Sequence, residues 1–217
     1  MERYKTVYEG GTGEIIEKKS RFIANVIPIT SEEDAFAFIE STKKRYWDAT
    51  HNCSAYVLGI NNELARCSDD GEPPRTAGRP MLDVLTGEGI RNAAVVVTRY
   101  FGGTLLGTGG LVRAYQSAAK EGLKNSLIIE KIYGRPLMIR TDYSGIGRIQ
   151  YLIAQNNLTT LSAEYTDTVA IQVLLTPEEE NSFTKKILES TNGKAAMEFG
   201  DPVWFADVRG QINLFSD

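Results

Sequence analysis

Residues 93–97 are five apolar residues in succession, the pattern of a strand buried on both faces. Arg99, Tyr100 and Phe101 close that run, and five glycines follow: Gly102, Gly103, Gly107, Gly109 and Gly110. From Leu111 the period becomes helical, with Leu111, Ala114, Tyr115, Ala118 and Ala119 on one face. The pattern predicts a strand that runs through a glycine-rich loop into a helix, and the rest of the first half is arranged around it.

Residues 5–29 read as strands, with Gly10 and Gly11 as a turn and a basic cluster of Lys18, Lys19 and Arg21 between two apolar stretches. Thr30 or Ser31 caps a helix, with Glu33 or Asp34 three residues on as a capping box. That helix carries Phe36 and Ile39 and ends at Lys43-Lys44-Arg45, where cations suit the C-terminal end of the dipole. Residues 51–60 and 63–68 predict a hairpin turning at Asn61-Asn62. A two-residue turn there sets Cys67 opposite Tyr56, so Cys53 and Cys67 point to different faces and a direct disulfide is not expected. A second helix is expected from Thr76, with Gly87 and Gly89 stopping it.

Beyond Leu127 the order of elements changes. Residues 128–141 predict a strand, 143–157 a helix, 158–165 and 168–175 two strands, 177–191 a helix capped by Thr176 with Pro177 at its start, and 195–208 a last strand. The order βαββαβ is that of the ferredoxin-like split arrangement. The expected division is residues 1–127, residues 128–210 and a tail at 211–217.

Composition narrows the function. With 24 Lys and Arg against 28 Asp and Glu, the chain is slightly acidic, and it holds no run of like charges longer than three residues. It is not a strongly basic nucleic-acid binder, so any nucleic-acid contact must rest on local arginines in the first half. No run of about 18 apolar residues occurs and no basic start leads into an apolar segment, so a cytoplasmic protein is expected. Two cysteines do not make a disulfide scaffold.

The first candidate site is the glycine-rich loop: Arg99, Tyr100, Phe101, Gly102, Gly103, Gly107, Gly109, Gly110 and Arg113. Free N–H groups at a helix start favour an anion, and Arg99 and Arg113 can add bidentate donors to a phosphate. The other reading is structural: the glycines make a tight strand-to-helix turn, and Arg99 pairs with a carboxylate. No Walker or dinucleotide fingerprint is complete. The second candidate is a polar cluster of His51, the sole histidine, with Asp69, Asp70 and Glu72. His51 is expected to hydrogen-bond an acidic partner in the 69–72 loop. The carboxylates can do acid–base work, hold magnesium, cap the next helix, or accept the arginines near the glycine loop. No nucleophile turn is present, the catalytic residues are unassigned, and neither a metal nor a cofactor is expected.

The segment Arg99-Tyr100-Phe101-Gly102-Gly103 followed by residues 106–115 (LGTGGLVRAY) resembles the signature of the IMPACT family, whose bacterial members are of the YigZ and YvyE type. His51-Asn52-Cys53, Asp69-Asp70-Gly71-Glu72-Pro73 and Thr76-Ala77-Gly78 match further motifs in the same order. The family usually has Ser-Gly after the Glu-Pro, where this chain has Pro74-Arg75. The resemblance implies an α+β protein: an N-terminal domain of the ribosomal protein S5 domain 2 type, then a ferredoxin-like domain resembling the C-terminal domain of elongation factor G. It also implies a role in translation regulation through contact with RNA or the ribosome, without catalysis. The alternative is an enzyme acting on a nucleotide or a phosphorylated small molecule.

Overall fold

A computed structural model describes residues 3–215, which form two compact units, Arg3–Glu130 and a second from Lys131 onward. In the first unit β1 (Arg3–Glu9), β2 (Thr12–Glu17) and β3 (Ser20–Pro28) lead into α1 (Glu32–Arg45). Then come β4 (His51–Leu58), β5 (Leu64–Ser68), α2 (Gly78–Gly87), the two-residue β6 (Ile90–Arg91), β7 (Ala93–Tyr100) and α3 (Thr108–Lys124).

Five of these strands make an antiparallel sheet in the order β2-β3-β7-β4-β5. β7 lies at its centre, which is why its apolar run has no polar alternation. Val95 and Val97 join the core under α2 and α3, while Ala94 turns to the other face, against Ile29, Ala35, Tyr56 and Leu58. α3 buries the expected face, Leu111, Ala114, Tyr115, Ala118 and Ala119, and adds Gly122 and Leu123. Gly122 is required there: a Cβ would meet Val26 and Ala24 side chains at 2.9 and 3.0 Å. Tyr115 and Phe22, both fully buried, meet edge-to-face with centroids 5.1 Å apart.

α1 begins as the sequence predicts. Ser31 Oγ accepts from Asp34 N, and the Asp34 carboxylate accepts from the backbone of Thr30 and Ser31. The β2–β3 turn has two residues, since Glu17 pairs with Ser20. Both, Lys18 and Lys19, have positive φ, 45° and 68°. Such turns normally take Asn-Gly, and each non-glycine residue in this region costs about 1 kcal/mol.

The β4–β5 hairpin differs from expectation. Its last pair is Leu58 with Leu64, so the loop has residues 59–63, with Gly59 and Asn62 at positive φ. The register therefore sets Cys67 opposite Ala55, not Tyr56, on the Cys53 side of the sheet. Both thiols are free, Cys53 buried and Cys67 exposed.

In the second unit β8 (Leu127–Thr141, from Lys131), α4 (Ile146–Gln155), β9 (Thr159–Tyr165), β10 (Val169–Leu175), α5 (Pro177–Ser190) and β11 (Ala196–Phe199) follow in the βαββαβ order. All pairings are antiparallel, in the order β9-β10-β8-β11. Ile149 and Ile153 of α4 and Phe183 and Ile187 of α5 share one core with Leu137, Ile139, Ile171 and Val173. The capping box of Thr176 and Glu179, with Pro177 behind it, starts α5.

Two expectations fail here. The last strand is broken into β11 and β12 (Val203–Val208) at residues 200–202, Gly-Asp-Pro, because Pro202 has no N–H for a ladder. The 211–217 segment is not a tail over its described part: Gln211–Phe215 is a strand, β13, paired antiparallel with β12. No helix among the described residues is long and apolar enough to cross a membrane.

Candidate functional site

The register of β4 on β7 sets His51 beside Arg99. Both face α2 and α3, as does Cys53 two residues on. The loop between β5 and α2 closes over this end, and its carboxylates meet the strand residues from the other side.

Glu72 is the centre of the arrangement. It is 6% exposed, and its Oε1 accepts from Arg99 Nη1 at 2.6 Å and from Tyr115 Oη at 2.7 Å. Arg99 is equally buried, its guanidinium lying between the Phe22 and Phe101 rings at 5.4 and 5.6 Å from the centroids. Its Nε has no hydrogen-bond partner among the described residues. His51 Nδ1 is 2.8 Å from the Asp70 carbonyl oxygen, so it is the donor there. In the neutral ring Nε2 is then the unprotonated nitrogen, and it faces Glu72 Oε2 at 3.9 Å.

The neighbouring acids are engaged in structural bonds. Asp69 reaches forward to the start of α2, accepting from the backbone N–H of Arg75, Ala77 and Gly78 at 2.8, 3.1 and 2.8 Å. Ala77, the N-cap residue, has no side chain able to do this. Asp70 accepts from Asn52 N at 2.7 Å and pairs with Lys43 Nζ at 3.0 Å. Replacing Asp69 with Ala removes the acceptor of three backbone donors at once. We expect a loss of about 2 kcal/mol in urea unfolding, and a smaller loss for Asp69→Asn, which keeps an acceptor oxygen.

Burial pushes the Tyr115 phenol up, and the neighbouring Cys53 and Glu72 push the same way, so it stays a donor to Glu72. Burial likewise pushes the Cys53 thiol up, so Cys53 is not a thiolate nucleophile. Its Sγ sits 3.0 Å from the Asp69 carbonyl oxygen and 3.3 Å from Tyr115 Oη. Among the described residues no group of three or more His, Cys, Asp or Glu is arranged to hold a metal ion.

The two sequence-level candidates thus meet through Arg99. The polar cluster forms around Glu72, with His51 bonded to the Asp70 backbone, and the Arg99 charge goes to Glu72. Tyr100 turns to the opposite face and donates to Asp48 Oδ1 at 2.8 Å, while Phe101 is 48% exposed. Gly102 lies flat on the β2–β3 turn, donating to Ser20 Oγ at 3.2 Å. Gly103 and Gly107 have φ of +80° and +71°, with open space where a side chain would stand. Gly107 is the N-cap of α3 and supplies no side-chain acceptor. Arg113 is exposed one turn in, its Nη1 3.5 Å from the place a Gly109 Cβ would occupy.

Tyr115, Cys53 and Lys43 join this site without having been singled out as members. The signal for Tyr115 was present: a tyrosine on the buried face of a helix needs a partner for its hydroxyl.

The sequence relatives bear on the same residues. Residues 18–123 match the Impact N-terminal domain, and residues 139–194 match a domain of unknown function, DUF1949. The IMPACT family member YvyE of Bacillus subtilis is 39% identical over 201 residues, spanning 93% of this chain and 93% of that protein. This chain belongs to the IMPACT family. YigZ of Escherichia coli, another member, is 35% identical over 178 residues, covering 81% and 87%. A crystal structure of a hypothetical protein, 33% identical, covers 91% of this IMPACT chain and 97% of its own, with a TM-score of 0.59. The Impact N-terminal match encloses His51, Glu72, Arg99, Arg113 and Tyr115.

Proposed function

We propose that this IMPACT protein is a non-enzymatic, cytoplasmic binding protein that recognises the phosphate backbone of RNA, on the ribosome or its partners, and so acts in translation regulation. The phosphate site is the glycine-rich loop and the start of α3. The observation that carries this reading is the open, uncapped helix start: Gly107 offers no acceptor, Gly103 and Gly107 leave space, and Arg113 stands exposed beside Gly109. N–H groups directed outward, the positive end of a 17-residue helix and a guanidinium all favour a phosphate.

Arg99 plays a different part in this proposal. Paired to Glu72 and covered by two rings, it fixes the root of the loop. Fold analogy adds a weaker support. The βαββαβ order with β9-β10-β8-β11 pairing fits a ferredoxin-like unit resembling the elongation factor G C-terminal domain. The first unit, with two helices on one face of its sheet, is read as the ribosomal protein S5 domain 2 type. The alternative, an enzyme acting on a nucleotide, needs magnesium on Asp69, Asp70 or Glu72, whose oxygens are directed to α2, to Asn52 and Lys43, and to Arg99 and Tyr115.

The test is co-sedimentation with ribosomal subunits and total RNA across a salt series. The proposal expects binding that falls as salt rises, and that is several-fold weaker in Arg113→Ala at unchanged melting temperature. No binding at low salt overturns it.

A further inference from the structure

The turn after α1 carries a tryptophan that the site above does not use. Trp47 is 82% exposed, a rare state for the largest apolar side chain. Its surroundings are ordered. Asn52 Nδ2 donates to the Tyr46 carbonyl at 3.4 Å, Thr50 N donates to the Arg99 carbonyl at 3.0 Å, and Asp48 holds the Tyr100 hydroxyl. These bonds tie the turn to the end of β7, so Trp47 and the Tyr100 ring share one end of the sheet.

That end is also basic. The Arg45 guanidinium lies over the Tyr46 ring at 5.3 Å, and Arg21 over Tyr100 at 5.9 Å. Arg21 and Tyr100 are paired in register, and the two-lysine turn is two residues before Arg21. The acids here are Glu14, taken up by Arg21 through two bonds of 2.6 and 3.0 Å, Asp48, bonded to Tyr100, and Glu17. Lys18, Lys19 and Lys44 enter no ion pair among the described residues. The left-handed backbone of Lys18 and Lys19 is strain held in an exposed turn, where Asn-Gly would relieve it and remove both charges. The glycine loop lies directly on that turn at Gly102.

We infer that Trp47 and the neighbouring rings form a stacking platform for unpaired bases of a single-stranded RNA, with Lys18 and Lys19 on its backbone. This rests on the RNA reading above and deepens it, giving the ligand as single-stranded and its path as running from the start of α3 across the two-lysine turn to Trp47. Base stacking on aromatic rings with cations along the backbone is how sequence-tolerant single-strand binding is built. The modest local surplus of cations makes the ring contribution large relative to the ionic one. A docked protein is the other occupant an exposed tryptophan suits, but it gives no reason for two strained lysines.

The experiment measures fluorescence polarisation of a labelled, unstructured ten-nucleotide oligouridine and of a hairpin duplex, against the wild type, Trp47→Ala, Trp47→Phe and Arg113→Ala. The inference expects tighter binding of the single strand, about tenfold weaker binding in Trp47→Ala, near wild-type binding in Trp47→Phe, and quenching of Trp47 emission in a Trp204→Phe background. Melting temperature serves as the folding control for each variant. If Arg113→Ala weakens binding while Trp47→Ala does not, or if the duplex binds as well as the single strand, the platform is overturned and the phosphate site stands. If no RNA binds at low salt, both fall. Loss of a protein partner in Trp47→Ala with RNA binding intact also overturns it.

Discussion

Arg99→Ala is expected to destabilise the protein by about 3–5 kcal/mol in urea unfolding, the cost of leaving a buried carboxylate without its cation. Glu72 is nearly inaccessible, its charge balanced by Arg99 at 2.6 Å and its lone pairs shared with Tyr115. Removing the guanidinium leaves one neutral donor and the more distant His51. Replacing both members differs: Arg99→Met with Glu72→Gln keeps apolar bulk between Phe22 and Phe101 and an acceptor for Tyr115. Relative to Arg99→Met alone, the double variant is expected to recover about 2 kcal/mol, read as a coupling energy in the cycle of Arg99→Met, Glu72→Gln and the two together. If Arg99→Ala changes stability by less than about 1 kcal/mol, the pair does not organise the site as described. Loss of binding in Arg99→Ala thus reports folding first, and Arg113 is the residue on which to test phosphate contact.

The second large effect is at Gly102. A Cβ there would stand 2.0 and 2.2 Å from the Lys19 carbonyl carbon and oxygen and 2.4 Å from Ser20 N, all backbone atoms of a tight turn. Neither the loop nor the hairpin can give way locally, so Gly102→Ala is expected to cost about 3 kcal/mol or more. Gly103→Ala is the matched control. Its Cβ meets open space, and only the positive φ opposes it, for about 1 kcal/mol. Denaturant midpoints at a common m-value measure both, and equal losses at the two positions contradict the packing account.

Local chemistry made much of this fold legible. The capping box at the start of α1, the Thr176 cap with Pro177 behind it, the period of α3 and the unalternated β7 each read directly as the element they form. What failed were places where one residue shifts a long-range pairing. Gly59 at positive φ lengthens the β4–β5 loop and moves Cys67 by one partner. Pro202 splits the last strand and lets its second half pair with β13. At the site, sequence alone put Arg99 between two roles, because nothing local says whether a carboxylate 27 residues earlier reaches it. Capping of the next helix was one of several roles open to the 69–72 carboxylates, and the fold assigns it to Asp69. Arg75 adds a finer point. Where the family usually has glycine, this chain holds Arg75 at φ +64°, a conformation glycine adopts without strain.

The phosphate contact proposed at the start of α3 and at Arg113 is open to a test in solution. The most direct measurement is the salt dependence of RNA affinity, log K against log salt, for the wild type and for Arg113→Ala. A linear fall is expected, with a slope shallower by about 0.7 in the variant, the amount for one lost contact to a single strand. An unchanged slope in a folded Arg113→Ala protein would contradict it.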